Sequence, residues 1–336
     1  MIYSQEKLEK LQKRWGTKRG RTLIEKIKKT RCFASVKDFQ KKIKSLPYMD
    51  DPGIKGTVDL RGINLMGFDF RADLPGEDGE ILDETTAINN IRFEGANLEY
   101  ANFSNGQIAE CNFDSANLSH ATFQGSLIQD TGFEKSHLYS TDMRGAEITG
   151  CNFKNSHFRD VVLDSVLVDE KTLFGKKLFD EQEGRFHLAT IQYRKLKEIF
   201  RNSNLHHIAD RFHYREMVCR RKIMPPWSPL RWADFIFGDL LFKYGSSFWS
   251  ILMWMGVTML VFGFAFSSEA IRSTHTGQMG DLWHGIYFSI VTFTTLGYGD
   301  WHPLGSFQYV AAAEAILGAV LIALFTVVAA RKLIRD

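Results

Sequence analysis

Between Phe93 and Val168 a large apolar residue returns at every fifth position. The series runs Phe93, Leu98, Phe103, Ile108, Phe113, Leu118, Phe123, Ile128, Phe133, Leu138, Met143, Ile148, Phe153, Phe158, Leu163 and Val168. Two places before most of them stands a small residue, such as Ala96, Ala101, Gly106, Cys111, Ala116 or Ser126. A period of five fits neither the 3.6 of a helix nor the 2 of a strand. A fixed repeat of this kind predicts a solenoid whose units stack and bury a shared core. An earlier piece, Leu60, Leu65 and Phe70, keeps the same period, and a Gly/Asp/Glu-rich insertion over about 71–90 separates it from the rest.

The pattern changes on either side. Over 171–230 apolar residues take helical spacing, first Leu188, Ile191, Leu196, Ile199 and Phe200, then Ile208, Phe212 and Met217 after the turn sequence NSN. A helical hairpin is expected, ended by Pro225 and Pro226. Over 231–245, Trp232, Phe235, Ile236 and Leu240 alternate with Asp239 and Lys243, which predicts an amphipathic helix along a membrane surface, or else a plain extension of the next segment. Residues 1–56 hold basic amphipathic pieces. One carries Leu8, Leu11 and Trp15; another carries Val36, Phe39 and Ile43 behind a Ser35–Asp38 capping pair. These pieces suit the acidic solenoid, a neighbouring subunit or anionic lipid, and the sequence does not choose among them.

The last part, 246–336, is strongly apolar. Residues 246–266 carry no charge and are long enough for a membrane span. A second expected span, 304–333, contains one acid, Glu314, and ends beside Arg331, Lys332 and Arg335. The stretch between the runs has one cation, Arg272, so both termini are expected on the cytoplasmic side of the cell's inner (plasma) membrane. Between the spans, 282–294 is apolar but too short to cross, and it is followed by Thr294-Thr295-Leu296-Gly297-Tyr298-Gly299-Asp300. Non-helical backbone at membrane depth is tolerated only where it lines water or is buried in protein. Carbonyls that all face one way require left-handed backbone at alternate residues, and glycine adopts it freely. Such carbonyls can replace the water shell of an ion.

The order span, pore helix, T-x-G-Y-G-D, span resembles the pore of two-transmembrane tetrameric potassium channels over about residues 231–335. The resemblance implies K⁺ coordination by the backbone carbonyls of Thr295, Leu296, Gly297 and Tyr298, with the Thr295 hydroxyl. It implies that Gly299 shapes the outer mouth, that Tyr298 braces the filter, and that Asp300 and Thr294 support it. Leu296 departs from the usual Val or Ile. Val291 stands where some members carry a glutamate, so Asp300 needs another partner, Trp283 or water. The same likeness places a hinge or a close-packing site at Gly318 and candidate gate residues at Phe325 and Ala329, on a face shared with Ile322 and Thr326. Glu314, costly at membrane depth, is expected either to bond the back of the pore helix at Ser289 or Thr292, or to reach water. A homotetramer in the lipid bilayer is implied, because one loop cannot ring an ion.

The five-residue units, as in GANLEYANFSNG and DSANLSHATFQG, resemble the pentapeptide-repeat family over 57–170. That likeness implies a right-handed quadrilateral β-helix of four units per coil, with Cys111 and Cys151 in its core. The expected fold is therefore a multi-domain membrane protein: a β-helix, an α-helical linker and an all-α two-span pore domain with a re-entrant pore helix.

Charge sharpens the division. Residues 1–45 hold 15 Lys/Arg against 4 Asp/Glu, residues 57–170 hold 7 against 20, and residues 171–245 hold 15 against 8. The acidic exterior suits a spacer, a docking surface for an unknown cytosolic protein or ligand, or a gate-control element. Nucleic-acid mimicry is disfavoured for a membrane-tethered rod. The four cysteines, Cys32, Cys111, Cys151 and Cys219, have no metal-type spacing, and the N-terminus lacks the apolar core of a signal peptide. No arginine ladder, nucleotide loop, triad or paired-carboxylate site is present, so neither an enzyme nor a cofactor other than the permeant K⁺ is expected. A weakly selective cation channel and a membrane-anchored interaction module remain the alternatives.

Overall fold

The computed structural model describes residues 5–30, 58–70, 87–241, 243–245, 248–267 and 270–335. It divides into two compact units, Met1–Ile223 and Met224–Asp336.

In the first unit the period of five becomes a coil of four pentapeptides. Strands β2 (Ala87–Asn89), β4 (Gln107–Ala109), β5 (Leu127–Gln129), β6 (Glu147–Thr149) and β7 (Leu167–Val168) stack in parallel, with Ile108 against Ile128 and Ile128 against Ile148. Single bridges repeat the 20-residue step on the other faces, as in Asn97 to Asn117 to His137 to His157. Strand β1 (Val58–Asp59) pairs with β3 (Ile91–Arg92), and Asn64 and Asp69 pair with Asn97 and Asn102. The early Leu60–Phe70 piece is thus the first coil, its partners lying farther along the chain by the length of the insertion. The expected insertion ran to residue 90; Ala87 to Asn90 belong to the rod instead, because Ala87–Asn89 already pair with β4 and Asn90 N–H donates to Ala109 O.

Two columns of phenylalanine run through the core, beside Leu98, Leu118 and Leu138 and Ile108, Ile128 and Ile148. Phe93, Phe113, Phe133, Phe153 and Phe174 stack with centroids 4.7–5.2 Å apart, and Phe70, Phe103 and Phe123 stack beside them at 4.3 and 4.8 Å. The columns meet edge to face, as at Phe113–Phe123. The spacing is that of adjacent strands, about 4.8 Å, so the coils from Phe93 onward each add one ring to the first column, while the second passes from Phe123 to Met143. Every fifth residue takes a positive φ to turn the corner. Glycine fills some of these sites, but Asn105, Ser115, His120 and Lys135 fill others at φ 56–58°.

Both ends of the rod are covered by the chain's own helices. At the first coil, α1 (Gln5–Trp15) and α2 (Lys18–Thr30) contribute Trp15 and Ile27 to the core. Arg14 grips Asp59 through two bonds of 2.9 and 2.8 Å, and the Trp15 indole donates to Arg61 O at 2.7 Å. Of the three destinations open to the basic segment, this part takes the rod. The Ser35–Ile43 helix lies outside the described residues. At the last coil, the short α3 (Phe179–Gln182) leads into a hairpin of α4 (Phe186–Asn202) and α5 (His206–Ile223). Ser203 Oγ accepts from Val168 N–H, and Lys195 donates to Val161 O. The buried face of α4 is Ala189, Tyr193, Leu196 and Phe200, while the expected Ile191 faces solvent. Tyr193 wins that face because its hydroxyl can bond Glu181 and Leu178 N–H while its ring is buried.

In the second unit α6 (Pro229–Ala233) runs into a π-helical turn over Asp234–Leu241 and a 3-10 turn over Lys243–Gly245. The amphipathic segment is therefore irregular where a continuous α-helix was expected. The Tyr244 hydroxyl closes back on Asp234 at 2.6 Å, and Trp227, Leu230 and Trp232 are exposed. Then follow α7 (Phe248–Ala265), β8 (Ile271–Ser273), α8 (Leu282–Phe293), β9 (Trp301–Pro303) and α9 (Phe307–Arg335). Among the described residues, Phe307–Ala330 is the one helix long and apolar enough to cross a membrane; Trp249–Ala265 is apolar and shorter.

Candidate functional site

The site is built around α8. Asp281 caps its N-terminus, accepting from His284 N–H at 2.9 Å. At the other end Thr294 N–H and its hydroxyl return to Ile290 O, and Leu296 N–H returns to Val291 O at 3.0 Å. This tight exit starts the segment Thr295–Gly299. Its φ angles are positive at alternate residues: 56° at Thr295, 56° at Gly297 and 75° at Gly299. Alternation of left- and right-handed residues turns successive carbonyls to one side, which an ordinary strand cannot do because its carbonyls alternate. At Thr295 a β-branched residue holds this conformation, a strain that clusters at functional positions.

Three glycines let the helices close on the site. A Cβ at Gly285 of α8 would stand 2.4 Å from Gly263 O of α7, and one at Gly263 would stand 2.9 Å from Ile286 Cα. A Cβ at Gly318 of α9 would fall 2.3 Å from Phe293 O, at the C-terminal end of α8. Of the two expectations for Gly318, close packing is present, and α9 is helical through this position. The face of α9 turned inward is Ala311, Glu314, Gly318 and Leu321, at helical spacing. Phe325 and Ala329 lie farther along, half-buried, on the same face as Ile322.

Glu314 is buried on this face and meets the Ser289 hydroxyl of α8; Ser289 Oγ also donates to Met259 O of α7 at 2.9 Å. Of the two expectations for Glu314, the bond to Ser289 of α8 is the arrangement present.

The outer end is held in a way the sequence did not signal. Asp300 Oδ2 accepts from the Tyr287 hydroxyl at 2.9 Å. Tyr287 therefore fills the role expected of Trp283 or water, and Trp283 is exposed. Strands β8 and β9 pair antiparallel, with Arg272 opposite His302. Through this sheet Thr274 N–H reaches Asp300 O at 2.9 Å, and the Thr274 hydroxyl reaches Gly299 O at 2.8 Å. Nothing in the spacing of Tyr287 or Thr274 marked them; Gly263 and Gly285, glycines inside apolar helices, could have been read as contact points. Leu296 and Tyr298 project from the chain with 58% and 67% of their surface exposed.

Residues 254–335 match the family model described as "Ion channel", and residues 88–114 and 116–155 match "Pentapeptide repeats" in 8 copies. The C-terminal segment is thus of ion-channel type, and pentapeptide repeats precede it. No curated protein matches. Among solved structures, the chain is similar to a pentapeptide repeat protein (Rfr23) from the cyanobacterium Cyanothece 51142, at 16% identity and TM-score 0.26, over 35% of this chain and 88% of that one. It is also similar to a pentapeptide repeat protein from the Arabidopsis thaliana thylakoid lumen, at 22% identity and TM-score 0.19, over 31% of this chain and 66% of that one. A third, from Nostoc PCC 7120, gives 22% identity and TM-score 0.19, over 34% and 81%. These low values add nothing to the coil register described above.

Proposed function

We propose that the chain is a K⁺-selective channel that conducts passively as a homotetramer in the plasma membrane, with both termini cytoplasmic. The ion sites are the carbonyls of Thr295, Leu296, Gly297 and Tyr298, with the Thr295 hydroxyl at the inner end. The single observation that carries this reading is the positive φ at Thr295, Gly297 and Gly299, every second residue of TLGYG. Four such loops around an axis offer rings of oxygens in place of a hydration shell, spaced so that an ion can enter one ring as another leaves. The exposure of Leu296 and Tyr298 on the single chain supports assembly, since both need neighbours to cover them. Asp300, Tyr287 and Thr274 hold the outer end, and Thr294 and Glu314 hold the inner and rear sides. Phe325 and Ala329 are the gate candidates, beyond the filter toward the C-terminal end of α9. The repeat domain serves as a docking or gate-control element.

The test is a reversal potential. Purified full-length protein in liposomes with opposed K⁺ and Na⁺ gradients is expected to reverse near the K⁺ equilibrium value. Reversal midway between the two ions would instead establish a weakly selective cation channel, a reading favoured by Leu296 at the filter's second ring. Electrical silence of a folded, membrane-inserted protein would leave the interaction module.

A further inference from the structure

Ser289 has one hydroxyl proton and two oxygen partners. One partner, Met259 O, is a carbonyl and can only accept. The other is Glu314 Oε1. An ionised carboxylate also only accepts, so the single proton of Ser289 would leave one of the two contacts as oxygen facing oxygen. A carboxylic acid resolves the count: Glu314 donates to Ser289, and Ser289 donates to Met259 O.

The surroundings point the same way. Glu314 is fully buried, and its second oxygen has no hydrogen-bond partner. A bare oxygen costs far less on a neutral acid than on a carboxylate. Lys and Arg are missing from α7 and α8, and α9 has none before Arg331. The titratable groups of the packed helices are His284 and Tyr287 on α8 and Tyr309 on α9. His284 is engaged with Asp281, and Tyr287 with Asp300. Among the described residues of these three helices, therefore, no cation faces Glu314 to stabilise a negative charge.

We infer that Glu314 carries its proton and is the first donor in a relay, Glu314 to Ser289 to Met259 O, that fastens all three helices behind the filter. One residue from each helix takes part, so the relay fixes the depth of α8 between the two spans. Glu314 and Ser289 are thus positioning residues: they touch no ion and set where the carbonyl ladder stands. The bearing on conduction rests on the channel reading above; the protonation state does not.

The experiment is infrared difference spectroscopy on the full chain in lipid at neutral pH, with wild type compared against Glu314→Gln and Ser289→Ala. The expected result is a protonated-carboxyl C=O band that vanishes in Glu314→Gln and shifts in Ser289→Ala. ¹³C-glutamate labelling of the wild type assigns the band to a glutamate without any variant, and the lack of such a glutamate band overturns the inference should either variant fail to fold. Carboxylate stretches alone, or a carboxyl band that ignores Ser289→Ala, would overturn the inference, whatever the flux assay gives. Flux supplies the separate arm. Glu314→Gln keeps a donor and is expected to lose less K⁺ selectivity than Glu314→Leu, the two differing about tenfold, as for one hydrogen bond. Equal loss in both would show that donation plays no part in conduction.

Discussion

The interior of the rod and the C-terminal segment are both strongly apolar, yet they settle their apolar surface in opposite ways. In the rod, each phenylalanine of the two columns is almost wholly buried within one chain, and helices seal both ends. In the pore segment, Phe264 and Ile316 stay 72% and 68% exposed beside Leu296 and Tyr298. A repeat fold finishes its core alone, because each coil is the partner of the next. A span segment of this kind is finished by lipid and by other copies of itself. The rod should therefore answer to substitutions one chain at a time, and the filter should multiply each by the number of copies around the axis.

The largest effect tests that multiplication. Gly297→Ala forces a side chain into left-handed backbone at a cost of about 1–2 kcal/mol per chain, four times over in a tetramer. K⁺ flux in liposomes is expected to vanish, whereas deletion of residues 1–222 is expected to leave flux measurable. Persistent flux in Gly297→Ala would break the comparison on the pore side.

Next comes the rod. Phe113→Ala opens a gap in a five-ring column and should cost about 3–5 kcal/mol, read as earlier proteolysis of the repeat region on heating. Flux at low temperature should be retained. An unchanged rod would mean that the columns do not carry its stability.

A smaller effect is expected at the capping helices. Burial alone would raise the Asp59 carboxyl, but the bonds and charges of Arg14 and Arg61 overcome this and hold it well below the usual carboxylate range. A depressed folded value means that the stabilisation is complete above the unfolded pKa, about 3.9, and is lost as pH falls through the folded one. Arg14→Ala should cost about 1–3 kcal/mol at neutral pH and less at pH 2, measured by melting of the repeat domain at both pH values. A cost independent of pH would show the cap to be apolar only, through Trp15 and Ile27.

The smallest lies at the outer mouth. Thr274→Val removes one neutral bond to Gly299 O and should change K⁺/Na⁺ selectivity by less than about tenfold, with no change in rod melting. Complete loss of selectivity would mark the β8–β9 sheet as the main support of the filter.

Much of this was legible because it is periodic or local. The interval of five announced the coil, and Phe93 to Phe158 all turned inward. Two glycines around Tyr298 announced the alternating backbone. The insertion boundary at Ala87, the outward Ile191 and the π-helical Asp234–Leu241 were not legible, since each depends on a partner distant in sequence or on a local closure such as Tyr244 to Asp234. Tyr287 escaped notice for the same reason: nothing local says that a tyrosine on one helix will meet an aspartate 13 residues later.

The sequence by itself determined the coil period, the inward residues of the rod and the order of helix, Thr295–Gly299 segment and helix, because these follow from spacing along the chain and from which backbones glycine permits. The tertiary structure alone decided that Arg14 and Trp15 seal the first coil, that Thr274 and Tyr287 bond Gly299 and Asp300, and that Gly318 packs closely on Phe293. Such pairings are chosen by shape, charge and the number of protons available where distant segments meet, and no interval in the sequence records them.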